Sequence, residues 1–253
     1  MMPVMFVGHG SPMNAIEDNI FTKGWQEIAS SIPKPDAILV ISAHWEAKGT
    51  FVSIVNKPKT IHDFFGFPKA LFDIEYNAEG SPTLANKTLE LLDGIAKPDT
   101  SWGLDHGAWS VLKVMYPNAD IPVFQMSIDE QASTKEHFEI GQKLHSLREI
   151  NVLILGSGNV VHNLGMLNFS ADGGFDWALK FDNDIKEKIE KREFESVMNH
   201  RELGTISRYA VPTTDHFNPL LYILGATDSS DQLTIYNNAC MAGSLSMTSY
   251  VFA

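Results

Sequence analysis

Short, continuously apolar runs that stop at small or polar residues set the rhythm of the chain. Pro3–Val7 runs into Gly8-His9-Gly10-Ser11-Pro12, and Ala37–Ala43 runs into His44-Trp45. Phe51–Val55, Ile121–Met126 and Asn151–Leu155 are further runs of the same kind. Apolar runs without polar alternation suit strands buried on both faces of a sheet. Helical spacing occupies the intervals, over Phe21–Ser31, Ser81–Ile95, Ser133–Arg148, Phe175–Phe194 and His216–Leu224. Ser81-Pro82 supplies an N-cap and first-turn pair for the second of these. Alternating strand and helix predicts an α/β fold with a mainly parallel central sheet flanked by helices. The rhythm breaks at the end, where Leu233–Tyr236 and Ser244–Phe252, joined around Asn237–Gly243, predict a C-terminal β-hairpin. No linker interrupts the pattern, so residues 1–253 are expected to form a single domain.

Composition narrows the class. The chain has 253 residues, enough for a sizeable core as one α/β unit. Nineteen Lys and Arg against 31 Asp and Glu give a net charge of −12, which argues against a nucleic-acid binder. One cysteine, Cys240, excludes a disulfide framework and a multi-cysteine metal site. No apolar stretch approaches the ~18 residues of a membrane span, and the N-terminal run lacks a basic start, so the expected location is cytoplasmic, with no membrane partner.

Ligands of doubly wound sheets bind beyond the carboxyl ends of the strands. There the chain repeatedly places histidine: His9 in GHGSP, His44 in SAHWE, and His162 in GSGNVVHNL, with His106 in GLDHGAW and His216 in TTDHFNPLL. Neutral imidazole is the commonest metal ligand, and histidines drawn from separate strand ends make an open, catalytic type of site. His9 and His44 are the strongest pair if their strands are neighbours. His137, His145 and His200 stand in polar helical surroundings and read as surface residues. Competing motifs are missing: GSGN lacks the spacing of a dinucleotide fingerprint, and the chain has no phosphate loop, HExxH pair or GxSxG elbow. Cys240 has no activating base nearby in sequence.

Eight segments in order, GHGSPMNA (8–15), ISAHWE (41–46), HDFFGFP (62–68), YNAEGSP (76–82), GLDHGAW (103–109), GSGNVVHNL (156–164), DHFNPLL (215–221) and SLSMTSY (244–250), closely resemble the DODA-type extradiol aromatic ring-opening dioxygenases. That group includes the 4,5-DOPA dioxygenases and is related to the catalytic subunit of protocatechuate 4,5-dioxygenase. The resemblance spans essentially the whole chain and implies one extradiol dioxygenase-like catalytic domain with a divalent metal in a cleft at one end of the sheet. It implies His9, His44 and His216 as metal ligands, with His216 siding with the DODA branch, where the protocatechuate enzymes carry glutamate. It implies His162 as the acid/base, able to approach the metal as a fourth ligand in a resting site, and His106 as a further active-site histidine. Ser11 and His62 fall at the expected substrate pocket. His62 departs from the family, many of whose members read Tyr-Asp-Phe there, and an imidazole in place of a phenol ring alters substrate preference.

The chemistry asks for a metal with few protein ligands, open to both catechol oxygens and O2, and for a base that later returns a proton. Three histidines satisfy the first demand, and the ~6.5 pKa of an unperturbed imidazole suits His162 to the second. Asp105 and Asp215, each preceding a candidate histidine, would either orient an imidazole or cap a local turn. Fe(II) is the expected redox metal, whereas the affinity order favours Zn(2+) in the protein as isolated. The expected partners are a small catechol-type substrate and O2, with the chain a monomer or small homo-oligomer. Two alternatives use the same residues: a zinc-dependent hydrolase with His162 as base, and a non-catalytic binding protein on this scaffold.

Overall fold

The computed structural model describes all residues, Met1–Ala253. Its strands are β1 (Val4–Gly8), β2 (Ala37–Ala47), β3 (Thr50–Ser53), β4 (Ala96–Asp99), β5 (Val123–Asp129), β6 (Val152–Gly158), β7 (Leu233–Tyr236), β8 (Cys240–Met241), β9 (Leu245–Ser246) and β10 (Ser249–Phe252). Its α-helices are α1 (Ile20–Ser31), α2 (Lys69–Phe72), α3 (Pro82–Leu92), α4 (His106–Met115), α5 (Thr134–Leu144), α6 (Asp176–Glu190), α7 (Phe194–Met198), α8 (Thr205–Ala210) and α9 (Asn218–Gly225).

Eight strands form one sheet in the order β4-β3-β5-β2-β6-β1-β10-β7. The centre, β5-β2-β6-β1, is parallel throughout. β10 pairs antiparallel with both β1 and β7, which is the terminal hairpin the sequence predicts, and β8 and β9 make a small second ribbon inside its connection. Successive residues of the central strands serve opposite faces, as the two-residue strand period requires. Val4, Phe6, Leu39, Ile41 and Ile154 join the core under α5, α6 and α9. Met5, Val7, Ile38, Val40 and Leu155 join a second core under α1 and α4, built on Trp25, Trp109 and Leu112. No helix is long and apolar enough to cross a membrane.

The structure corrects several expectations. β1 and β2 are not neighbours, because β6 lies between them and is parallel to both. β6 thus holds the two ends in line. The segment Ser244–Phe252 is two strands with a break at Met247–Thr248. The 133–148 pattern leaves α-helix at Leu144 and continues as a 3-10 turn over His145–Ile150. Two histidines read as surface residues are core. His137 is buried with Nδ1 2.8 Å from the Tyr222 hydroxyl, and His200 is buried with Nδ1 2.9 Å from Ser207 Oγ. Burial pushes both imidazoles down to about 4, so they are held neutral.

Candidate metal centre

Five histidines from five different segments meet at the carboxyl end of the parallel strands. His9 follows β1, His44 lies on β2, His106 opens α4, His162 follows β6, and His216 sits in the turn before α9. The ring centroids of His9, His44 and His216 form a near-equilateral triangle, 5.0, 5.1 and 5.0 Å on a side. His106 lies 3.8 Å from His44, ring to ring, and His162 stacks on His216 with centroids 3.4 Å apart.

Main-chain contacts hold this end of the sheet together. The His9 N–H donates to Gly158 O (3.0 Å), and the Asn159 N–H donates to His216 O (2.8 Å), so the end of β6 carries both neighbours. Gly158 has to be glycine here, because a Cβ would lie 2.2 Å from the His216 carbonyl oxygen. At Gly107 a Cβ would meet Ser42 Oγ at 2.4 Å and His44 Cδ2 at 2.9 Å, which is how closely the first turn of α4 approaches β2.

Hydrogen bonds decide which ring nitrogen of His9 and of His216 is left bare. The Ser157 hydroxyl donates to Gly107 O (2.6 Å), so its oxygen is left to accept from His9 Nδ1 (2.9 Å), leaving His9 Nε2 bare. His216 Nδ1 donates to Asp215 Oδ2, which leaves its Nε2 bare as well. His44 Nε2 stands 3.2 Å from His9 Nε2. With its proton on Nε2, His44 would donate to the bare His9 Nε2; with its proton on Nδ1, it turns a second lone pair to the same point, where one cation can share both. The separation lies within the ~4 Å that two ligands ~2.0–2.1 Å from one ion can span. The donor set therefore fits a divalent metal held by imidazole nitrogens.

Burial shapes the electrostatics. It holds His9 and His44 well below the ordinary histidine range, with the neighbouring imidazoles adding to the effect. His162 is pushed down to about 3, chiefly by burial and then by His216. Burial raises Asp215, but the bonds from His216 and Thr213 and the charge of His216 together hold it well below the usual carboxylate range. His9 and His44 therefore stand in the deprotonated form that metal ligands require.

The remaining expected residues divide. Asp215 pairs with an imidazole, as one of its two readings had it. Asp105 takes its other reading. It caps α4 by accepting from the Ala108 N–H (3.1 Å) and spends its oxygens on Ser42 (2.6 Å) and Gln125 (2.7 Å), not on His106. It reaches the site only through Ser42, which accepts the His44 N–H (3.2 Å). Ser11 caps the 3-10 turn Pro12–Ala15 by accepting from Met13 N (3.2 Å). His62 donates through Nε2 to Ile74 O (3.0 Å) and packs among Phe64, Phe72 and Trp109. Phe64 in turn meets His106 edge-on at 5.5 Å, so an aromatic wall adjoins the histidines.

One site residue was not singled out from the sequence. Asp63 accepts the His106 backbone N–H on Oδ1 (2.9 Å) and His106 Nδ1 on Oδ2 (2.9 Å). Its only sequence signal is a place in HDFFGFP, beside the more conspicuous His62.

Residues 3–253 match the family model described as the catalytic LigB subunit of aromatic ring-opening dioxygenase. The chain is 45% identical to a 4,5-DOPA dioxygenase extradiol of Escherichia coli K12, over 98% of this chain and 93% of that protein. It is 38% identical to a 4,5-DOPA dioxygenase extradiol of Beta vulgaris, over 98% and 95%. A crystal structure of an uncharacterized Escherichia coli K12 protein superposes over the whole of both chains, with a TM-score of 0.84 and 38% identity.

Proposed function

The chain belongs to the family of catalytic LigB subunits of aromatic ring-opening dioxygenases, and from that premise we propose how its own residues open a ring. The protein is an extradiol ring-cleaving dioxygenase, acting on a small aromatic substrate with O2. We assign His9, His44 and His216 as the three protein ligands of one divalent ion, each through Nε2. The observation that carries this is the fixing of Nδ1 by Ser157 and Asp215 in two of the three, together with the 3.2 Å approach of the His9 and His44 Nε2 atoms. Iron is the metal we propose for turnover; when bound, it supplies a Lewis acid for the catechol oxygens and a route for electrons between ring and O2. Zinc fits the same nitrogens without the redox chemistry.

His162 is the proposed acid/base. The rings of His9, His106 and His216 each engage a hydroxyl or carboxylate through Nδ1, whereas His162 stacks face to face on His216 and its ring makes no hydrogen bond. Burial pushes its pKa down to about 3 rather than the ~6.5 expected of a free imidazole, so it stands deprotonated, and a proton it takes from a substrate hydroxyl is readily returned as the ring opens. His106 gives its Nδ1 proton to Asp63, so in its neutral form Nε2 is an acceptor. It receives a substrate hydroxyl. Phe64, edge-on to His106 and backed by His62, Phe72 and Trp109, is the aromatic side chain placed to meet the substrate ring. The proposed substrate is a catechol with a side chain, of the DOPA class, in line with the names of the relatives.

The ligand assignment is tested by metal content. His9→Ala, His44→Ala and His216→Ala should each lose the ion that the parent chain retains through gel filtration, while His162→Ala should keep it. Full retention in any of the first three, with the fold intact by circular dichroism, would remove that residue from the set.

A further inference from the structure

Asp63 engages two histidines at once. Its Oδ2 is 2.9 Å from His106 Nδ1 and 3.4 Å from His44 Nδ1, while its Oδ1 takes the His106 backbone N–H. Capping the first turn of α4 does not account for this, because Asp105 already caps that helix. A cap needs one oxygen, and the second oxygen of Asp63 is bonded to the His106 ring nitrogen and stands within ion-pair distance of that of His44. Nor is Asp63 a loosely held loop acid. Ile61 on one side donates its N–H to Leu104 O (2.7 Å) and accepts Trp109 Nε1 on its carbonyl (2.8 Å). His62 is tied to Ile74 O, and Phe64 packs against the His106 ring. The segment is laced to the residues around α4, so the carboxylate is delivered to a fixed point between two imidazoles.

We infer that Asp63 is a positioning residue that keeps the ring proton of both His106 and His44 on Nδ1, and so presents the Nε2 lone pair of one to the substrate and of the other to the metal. The physical reason is that an anionic acceptor shared by two Nδ1 atoms disfavours the other tautomer of either ring. One carboxylate then sets two functions together, the metal ligand on β2 and the substrate-facing imidazole on α4. The second half of the inference rests on the assignment of His44 as a ligand; the first half does not.

The test uses the full-length, 15N-labelled, metal-free protein at neutral pH. Two-bond proton–nitrogen spectra, with rings assigned through His44→Gln and His106→Gln, should report the proton on Nδ1 of both. Asp63→Asn offers an amide that donates as well as accepts, so it should mix the tautomers at His106 and weaken zinc binding about 10–100-fold, the usual effect of losing a partner behind a ligand. Asp63→Glu should recover part of that loss. A bare Nδ1 at His106 in the parent chain would overturn the inference, as would an Asp63→Asn protein with the parent's zinc affinity. If the asparagine variant does not fold, the parent spectra decide alone. Parent-like zinc affinity in His9→Ala would instead break the metal assignment and leave the His106 tautomer result standing.

Discussion

At the scale of single residues, the site is a set of imidazoles distinguished by what each does with Nδ1. His9, His106 and His216 have that nitrogen engaged, and His162 does not. This gives His162→Ala a specific expectation: ring-cleaving turnover should fall ~10²–10⁴-fold, the range for losing a general acid–base group, with metal content unchanged. Steady-state rates on the iron-loaded variant check this, and parent-like turnover would exclude His162 as the acid/base. The histidines of the centre were legible because imidazole at successive strand ends is a chemical pattern that survives in one dimension. Asp63 was not, because its role exists only where the 59–64 segment folds against α4. His137 and His200 were misread for a related reason. Their polar neighbours face solvent, while the rings themselves turn inward to Tyr222 and Ser207.

At the scale of elements, apolar runs fixed the central strands well, and the hairpin of β7 and β10 was foreseen. α4 was passed over as a helix because its first turn, Asp105-His106-Gly107, reads as a junction. Glycine there is a packing requirement against His44, a fact visible only with β2 in place. β4 was missed because Ala96–Asp99 is half polar and contains Pro98, a composition that fits only an edge strand. The end of β6 is the element on which the ligand set depends most. Gly158→Ala would drive a methyl group against the His216 carbonyl, costing ~1–3 kcal/mol of stability through overpacking and shifting the His216 turn, so zinc affinity should fall with it. Gly165→Ala, whose new methyl group would meet nothing nearer than 3.4 Å, is the control and should change neither. Thermal melts and zinc titrations of the two variants separate these outcomes, and a Gly158→Ala protein with parent-like affinity would show that the clamp does not set the site.

At the scale of the whole molecule, the buried neutral histidines make stability depend on pH in a definite direction. His137 and His200 titrate at about 4 in the folded chain, against ~6.5 when unfolded. Between those values the unfolded state binds more protons, so stability is full above pH ~6.5 and is lost as pH falls towards 4. At ~1.4 kcal/mol per pH unit, each ring accounts for about 3 kcal/mol of that loss. Urea unfolding of the metal-free protein from pH 7.5 to 4.5 should show the decline, and His137→Gln should make it shallower; a flat profile would contradict the burial of these rings. The family, the sheet and the five converging histidines make one claim about the intact protein, that it couples ring opening to O2 through a redox metal at this centre. Paired oxygen-electrode traces, on samples carrying equal amounts of iron and of zinc and offered the same catechol, test it directly. The expected result is one O2 consumed per ring opened with Fe(II), and almost none with zinc. Faster turnover with zinc, or ring-derived product without oxygen uptake, would contradict it and favour a hydrolytic centre built on the same histidines.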